Sequence, residues 1–383
     1  MSKTVFACLF LSLLFASLLI VSLQCGVSSG TIPGDINGDG KVNLLDLELL
    51  AAAFGSHRAN YDYPGEPASP NWNPKADLNG DGIVDLGDLV ILAAHYGQTG
   101  ISANQALYIG WRSSEYGVHY QGSYDDAPSQ PSPSGQKPSS WFVNTSESMA
   151  NLIGSGAQAS GIWIIGEVDG RTAESPCYLD IPQPSSGSYP NIVFRSDALN
   201  PSDAYLTAFD NAGLKIWLQS EPGLADINTI TKLLMDTYGN HSCVIGVGID
   251  AEWYPNTVTA ADAQSWTSYI QNNYGSQYKF FIKHYDVSKM PPDPKIPGCV
   301  WICDNQGFSS ESAMLSSRPG SGGMGEWRNH FSGSEVGFQV GYSADSSWTR
   351  PLGIQKVSDD LFSLGSNVNY VIWSDEDILH YYP

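Results

Sequence analysis

Positive charge is scarce in this chain: 18 Lys and Arg stand against 39 Asp and Glu, a net charge of −21. That balance excludes nucleic-acid binding, which needs clustered basic side chains to meet phosphates. Charged residues of both signs make up only 15% and hydrophobic ones 42%, so a folded core is expected rather than a solvated coil. Cysteine is also sparse. Two of the six lie within the first 25 residues, leaving Cys177, Cys243, Cys299 and Cys303, with no Cys/His spacing that suits zinc. Four cysteines allow three pairings or none. Cys299 and Cys303, four apart on one strand, are too distant to bond each other. No Gly-x-Ser-x-Gly elbow occurs and no Gly-rich phosphate loop follows the first strand, so those two nucleophile and nucleotide readings lack their carriers. Long apolar runs are limited to one, from about Thr4 to Leu23, after Lys3 and before the small residues Val27–Gly30. It reads as a signal peptide over residues 1–30, with a retained anchor as the other reading, and it makes the chain secreted or cell-surface attached.

Two stretches carry a repeated metal-loop pattern. One runs Asp35-Ile-Asn-Gly-Asp-Gly-Lys-Val-Asn-Leu-Leu-Asp46, the other Asp77-Leu-Asn-Gly-Asp-Gly-Ile-Val-Asp-Leu-Gly-Asp88. Calcium takes six to eight hard oxygens, from loop positions 1, 3, 5, 7, 9 and 12, around a sharp glycine turn at position 6. The first loop offers Asp35, Asn37, Asp39, the Lys41 carbonyl, Asn43 and Asp46. The second offers Asp77, Asn79, Asp81, the Ile83 carbonyl, Asp85 and Asp88. An apolar helix follows each loop, over Leu47–Phe54 and Leu89–Tyr96. Aspartate at position 12 of both repeats resembles the dockerin family, over about residues 31–100. The resemblance implies a small all-α module folded around two Ca2+ ions, with a cohesin domain on a scaffold or surface protein as partner. Loop positions 10 and 11, often Ser-Thr where dockerins meet cohesin, are Leu44-Leu45 and Leu86-Gly87 here.

Beyond a short linker near Gln98–Asn104, a short apolar run ending in polar or aromatic residues recurs eight times. The runs are Ala106–Trp111, Gly161–Gly166, Lys215–Ser220, Val244–Trp253, Lys279–His284, Cys299–Asp304, Val336–Tyr342 and Asn369–Ser374. Their spacing is too wide for hairpins and suits strand–helix units. Ser202, Asp226 and Thr259 sit where helix N-caps belong, and Gly213, Gly239 and Gly275 where helices stop. The fold class expected is α/β: a (β/α)8 TIM-like barrel over residues 104–383, with little or no helix after the last strand, preceded by the calcium-binding module.

Such barrels place their chemistry at the C-terminal strand ends. In Val244-Ile-Gly-Val-Gly-Ile-Asp-Ala-Glu-Trp-Tyr254, strand alternation puts Gly246, Gly248, Asp250 and Glu252 on one face. Two like charges on one face resist ionising together, so one carboxyl is held protonated, as a glycosidic general acid requires. Glu252 is the expected acid and Asp250 its tuner. Asp304 and Glu221, at other strand ends, are the auxiliary carboxylates. Glu167, His284, Gln339 and Tyr342 are the expected hydrogen-bonding substrate contacts, with Trp111, Trp253 and Trp373 stacking sugar faces; no cofactor is expected for catalysis. With 11 Trp and 20 Tyr, sugar handling suits the composition.

The strand end Gly-Ile-Asp-Ala-Glu-Trp resembles the fourth strand of chitinase-type family 18 glycoside hydrolases, and Trp373 resembles the tryptophan that floors their sugar site. Ile245 and Gly248 stand where that motif has two further aspartates, so the substrate is left open. The function expected is a dockerin-tethered glycoside hydrolase acting on a polysaccharide. The alternatives are a barrel that binds carbohydrate without cutting it and a calcium-dependent surface-assembly protein.

Overall fold

The computed structural model describes residues 33–37, 42–59, 66–96, 106–114, 137–154, 156–168, 172–195 and 201–382. The expected signal segment, the linker near Gln98–Asn104, and the calcium-loop residues Asp39 and Lys41 lie outside the described residues. Internal contacts divide the chain into two compact units, Met1–Gln105 and Ala106–Pro383.

In the first unit each loop feeds a helix, α1 (Leu44–Ala53) and α2 (Leu86–His95), three residues earlier than the apolar pattern suggested. The cause is capping. Asn43 and Asp85 take extended N-cap backbone, and Asp46 and Asp88 at N3 reach back to complete a capping box at each helix. The two helices close over Ile36, Val42, Leu50, Val84, Leu89 and Leu92. A short antiparallel link, His57 to Ile83, ties the repeats, with the Gly55 and Val84 amides donating across it at 2.7 and 2.8 Å.

The second unit is the expected barrel. Its parallel strands are β1 (Leu107–Ser114), β2 (Ala157–Val168), β5 (Lys215–Ser220), β6 (Val244–Asp250), β7 (Lys279–His284), β8 (Cys299–Cys303), β9 (Glu335–Val340) and β10 (Val368–Ser374). They pair in that order, and β1 pairs with both β2 and β10, which closes the sheet. Between β2 and β5 the chain adds two short strands, β3 (Cys177–Leu179), antiparallel to the end of β2, and β4 (Ile192–Phe194). The apolar runs alone gave no sign of this extension. The helices of the barrel are α3 (Ser139–Ile153), α4 (Pro201–Ala212), α5 (Ile227–Tyr238), α6 (Ala260–Tyr274), α7 (Glu311–Met314), α8 (Met324–His330), α9 (Ser346–Ser363) and the short α10 (Asp375–Tyr381) after the last strand.

Inside the barrel, Ile162, Trp217, Phe281, Val300, Ile302, Tyr370 and Ile372 fill the middle. Their bulk explains the two glycines on β6. A Cβ on Gly248 would stand 2.2 Å from the Phe281 ring, and one on Gly246 2.5 Å from the Trp217 ring. Six tryptophans are fully buried, and several of them lock the helices to the outside of the barrel. Trp111 Nε1 donates to the Phe142 carbonyl of α3 at 2.9 Å, Trp163 Nε1 to Ser202 Oγ of α4 at 2.9 Å, and Trp373 Nε1 to Ser358 Oγ of α9 at 3.0 Å. All four remaining cysteines are buried free thiols.

Candidate active site

The C-terminal ends of β1, β5, β6, β7, β8 and β9 bring one polar cluster together above the apolar filling. Its centre is Lys283 of β7, 2% exposed, whose Nζ stands 2.5 Å from Asp250 Oδ2 and is also bound to Asp304 Oδ2. Tyr342 donates its hydroxyl to Asp304 Oδ2 at 3.4 Å, and Gln339 donates its amide to the Tyr342 oxygen. On the other side Arg112 donates to Gln219 Oε1 at 3.2 Å and faces Glu221 at 3.9 Å. Glu221 also accepts the Val168 amide at 3.1 Å, and Glu167 faces Arg195, at the end of β4, at 3.8 Å.

Strand β6 ends at Asp250, and Ala251–Trp253 form a single 3-10 turn, so Glu252 is not on the strand as expected. The turn brings Glu252 to the same mouth by a different route. Burial pushes its carboxyl up to about 7, with Asp250 and Asp304 adding to the effect. Glu221 is pushed up to about 8, first by burial and then by Glu167 and Asp250. Burial also raises Asp250, against the pull of Lys283, and the Lys283 ammonium is held charged by Asp250 and Asp304. Two carboxyls that keep their protons near neutrality thus stand among carboxylates paired with buried cations. Such an arrangement can donate a proton to a leaving oxygen while negative charge stabilises a developing cation.

Several buried polar atoms here have no hydrogen-bond partner among the described residues: Asp250 Oδ1, Asp304 Oδ1, Gln339 Oε1 and Gln219 Nε2. Buried groups of this kind ordinarily find partners, so they are the natural contacts for a polar ligand. His284, 7% exposed, accepts the Asp286 amide at Nδ1, 2.9 Å, which puts the neutral ring's proton on Nε2. Burial lowers its pKa, so it is suited to donate a hydrogen bond rather than to carry charge.

Two expected sugar contacts are corrected. Trp111 and Trp373 are 0% exposed and turn outward into the helical layer. The reason is parity. Arg112 and Ile372 face inward, so the tryptophan beside each must face out. Trp253 remains half-buried beside Glu252. Lys283, Arg112, Gln219 and Arg195 join the cluster, though none of them was expected as a catalytic or substrate-contacting residue. The first three carry a signal at strand ends on the same inward parity, whereas Arg195 arrives on the β3–β4 extension.

In the first unit the described donors are all oxygen, the chemistry that calcium takes. Asp77 accepts the Gly80 and Gly82 amides at 2.9 and 3.0 Å, and Asp81 accepts the Ile83 amide at 3.0 Å. Asp88 accepts three amides, of Leu78, Asn79 and Asp85, at 2.7, 3.1 and 2.8 Å. Asp46 does the same for Ile36, Asn37 and Asn43. Among the described residues no three His, Cys, Asp or Glu side chains stand together as a metal cluster. The donor set nonetheless fits calcium in type and loop position. Leu44, Leu45 and Leu86 are about half exposed, at 57, 54 and 49%.

Residues 33–96 match the dockerin type I domain. No curated protein matches the sequence. Among solved structures, the chain is similar to a GH99 endo-alpha-mannosidase from Bacteroides thetaiotaomicron, at 10% identity and TM-score 0.40, over 70% of this chain and 83% of that one. It is also similar to a beta-mannanase from the blue mussel Mytilus edulis, at 11% identity and TM-score 0.35, over 70% and 88%. A Parabacteroides merdae beta-glucuronidase gives 10% and 0.37, over 73% of this chain and 32% of that one. The barrel is assigned from its own closed strand order. The dockerin match accounts for the repeat pair, and the dockerin helices carry the exposed leucines at their first turns.

Proposed function

We propose that the protein is a secreted or surface-attached glycoside hydrolase, with residues 106–383 as its catalytic barrel and the dockerin region as its tether. One observation carries the reading: at the mouth Lys283 clamps Asp250 and Asp304, whose second oxygens have no partner among the described residues, and the turn that follows Asp250 carries Glu252. Glu252 gives its proton to the glycosidic oxygen. Asp250 and Asp304, fixed by Lys283, stabilise the positive charge that grows on the sugar, and Glu221 is the auxiliary acid. Glu167, Gln339, Tyr342, His284 and Trp253 contact the substrate.

The two loops hold two calcium ions through Asp35, Asn37, Asp39, the Lys41 carbonyl, Asn43 and Asp46, and through Asp77, Asn79, Asp81, the Ile83 carbonyl, Asp85 and Asp88. Calcium bound there would supply positive charge against the loop acids. The exposed leucines face a cohesin domain, which would concentrate the enzyme on its polysaccharide. The test is a screen of reducing-sugar release from chitin, peptidoglycan, xylan, glucan and pectin by the parent and by Glu252→Gln. Release by the parent and its loss in the variant are expected. Equal release by both would remove Glu252 from the reaction, and retention on a polysaccharide without release would favour a binding barrel.

A further inference from the structure

On the same barrel face a cavity of about 380 Å3 opens between the segments that follow β7 and β8. Tyr285, Asp286 and Ser288 form one wall, Asn305 another, and Ser321 and Glu326 close it. Tyr285 follows His284 in the chain and Asn305 follows Asp304, while Cys303 and Trp327 also line the cavity, so it opens on the outer side of the strand ends that carry the carboxylate cluster. Its walls are already fixed. Glu326 accepts the Gly320 and Gly322 amides at 2.6 and 2.8 Å, and Asn305 Nδ2 donates to the Gly322 carbonyl at 2.8 Å.

The Tyr285 ring is 48% exposed and lies against His284, with centroids 4.7 Å apart. An exposed aromatic face beside hydroxyl, amide and carboxylate groups matches the two-sided chemistry of a pyranose, apolar on its C–H face and polar at its rim. No Lys or Arg is among the described lining residues, while Asp286 and Glu326 are, so an anionic sugar would meet only repulsion. The geometry points to a second sugar subsite here: it takes an uncharged residue farther along the same glycan chain that enters the mouth, with Tyr285 as the stacking platform. This rests on the carbohydrate reading of the mouth, and it makes the protein a reader of chain length.

The full chain carrying Glu252→Gln would be titrated with dimers through hexamers of xylo-, cello-, manno- and chito-oligosaccharides, and with oligogalacturonates. At least one neutral series is expected to bind more tightly as it lengthens. Tyr285→Ala, which removes the platform, and Ser288→Trp, which fills the cavity, should each cost about tenfold on the longer members and nothing on dimers. The subsite is overturned if both variants bind hexamers as tightly as the parent, if oligogalacturonates bind best, or if no oligosaccharide binds. Sugar release by the parent is scored separately. Length-dependent binding without release sinks the catalytic reading and leaves the subsite standing. Release with a length dependence that neither variant changes does the reverse.

Discussion

The calcium-loop region and the barrel mouth are both built on carboxylates, and they use them in opposite ways. Asp46 and Asp88 are 0% exposed and each accepts three backbone amides, so their charge is spent on holding the loop against the helix that follows. Asp250 and Asp304 are 2 and 6% exposed, yet each keeps one oxygen without a partner among the described residues and gives the other to Lys283. Burial costs a carboxylate heavily unless it is satisfied. The first arrangement meets that cost through local structure, whereas the second leaves part of it standing. Unspent polarity of that kind marks groups kept for a ligand or a reaction.

The contrast is open to direct attack. Its largest expected consequence is in activity: Glu252→Gln should lower turnover by about 10²–10⁴-fold, the usual contribution of a general acid. Its melting temperature should hold or rise, since a crowded acid has been removed. A fall in stability with turnover intact would place Glu252 with the loop carboxylates instead. Next, Lys283→Met should destabilise the barrel by about 3–5 kcal/mol in denaturant titration, because two carboxylates lose their shared partner. Trp373→Ala should cost a similar amount, about 3–5 kcal/mol, with no selective loss of sugar affinity, as fits a side chain between barrel and helix. Asp88→Ala strips three amides of their acceptor and should cost the dockerin region about 1–3 kcal/mol, read as earlier hydrogen exchange in residues 66–96 with the barrel amides unchanged.

The smallest effect expected is in pH. Glu252 and Glu221 both have carboxyls raised above the ordinary value, to about 7 and about 8. The stability from their bound protons is fully present below the ordinary glutamate range and is lost as pH rises through those values. The barrel should therefore melt progressively earlier as pH rises toward 8, and Glu221→Gln should flatten the upper part of that slope. Turnover should fall on the alkaline side of about 7, where Glu252 gives up its proton. A slope of the opposite sign would contradict the burial of both groups.

Much of this was legible in the sequence because it rests on local rules. Loop spacing gave the repeat pair, and strand parity with helix caps gave the barrel and the placing of Asp250. The bounds of α5 and α6 fall where Asp226 and Thr259 cap them. What could not be read depends on long-range packing. The turn that carries Glu252 off the strand, the outward aim of Trp111 and Trp373, and the arrival of Arg195 on an added strand pair are all settled by neighbours distant in sequence. Lys283 shows the same limit. Its place at a strand end was visible, but a clamp between two acids requires knowing that β7 lies between β6 and β8.

The outward tryptophans also decide what light can report about this protein. Six indoles are sealed from solvent, so emission from the barrel follows the docking of its helices and should change mainly on unfolding. Trp253 is half-buried next to Glu252. Trp72, Trp141 and Trp348 are also partly exposed, so a quench or blue shift on adding sugar to the folded protein is assigned to Trp253 only where Trp253→Phe silences it while the thermal signal persists.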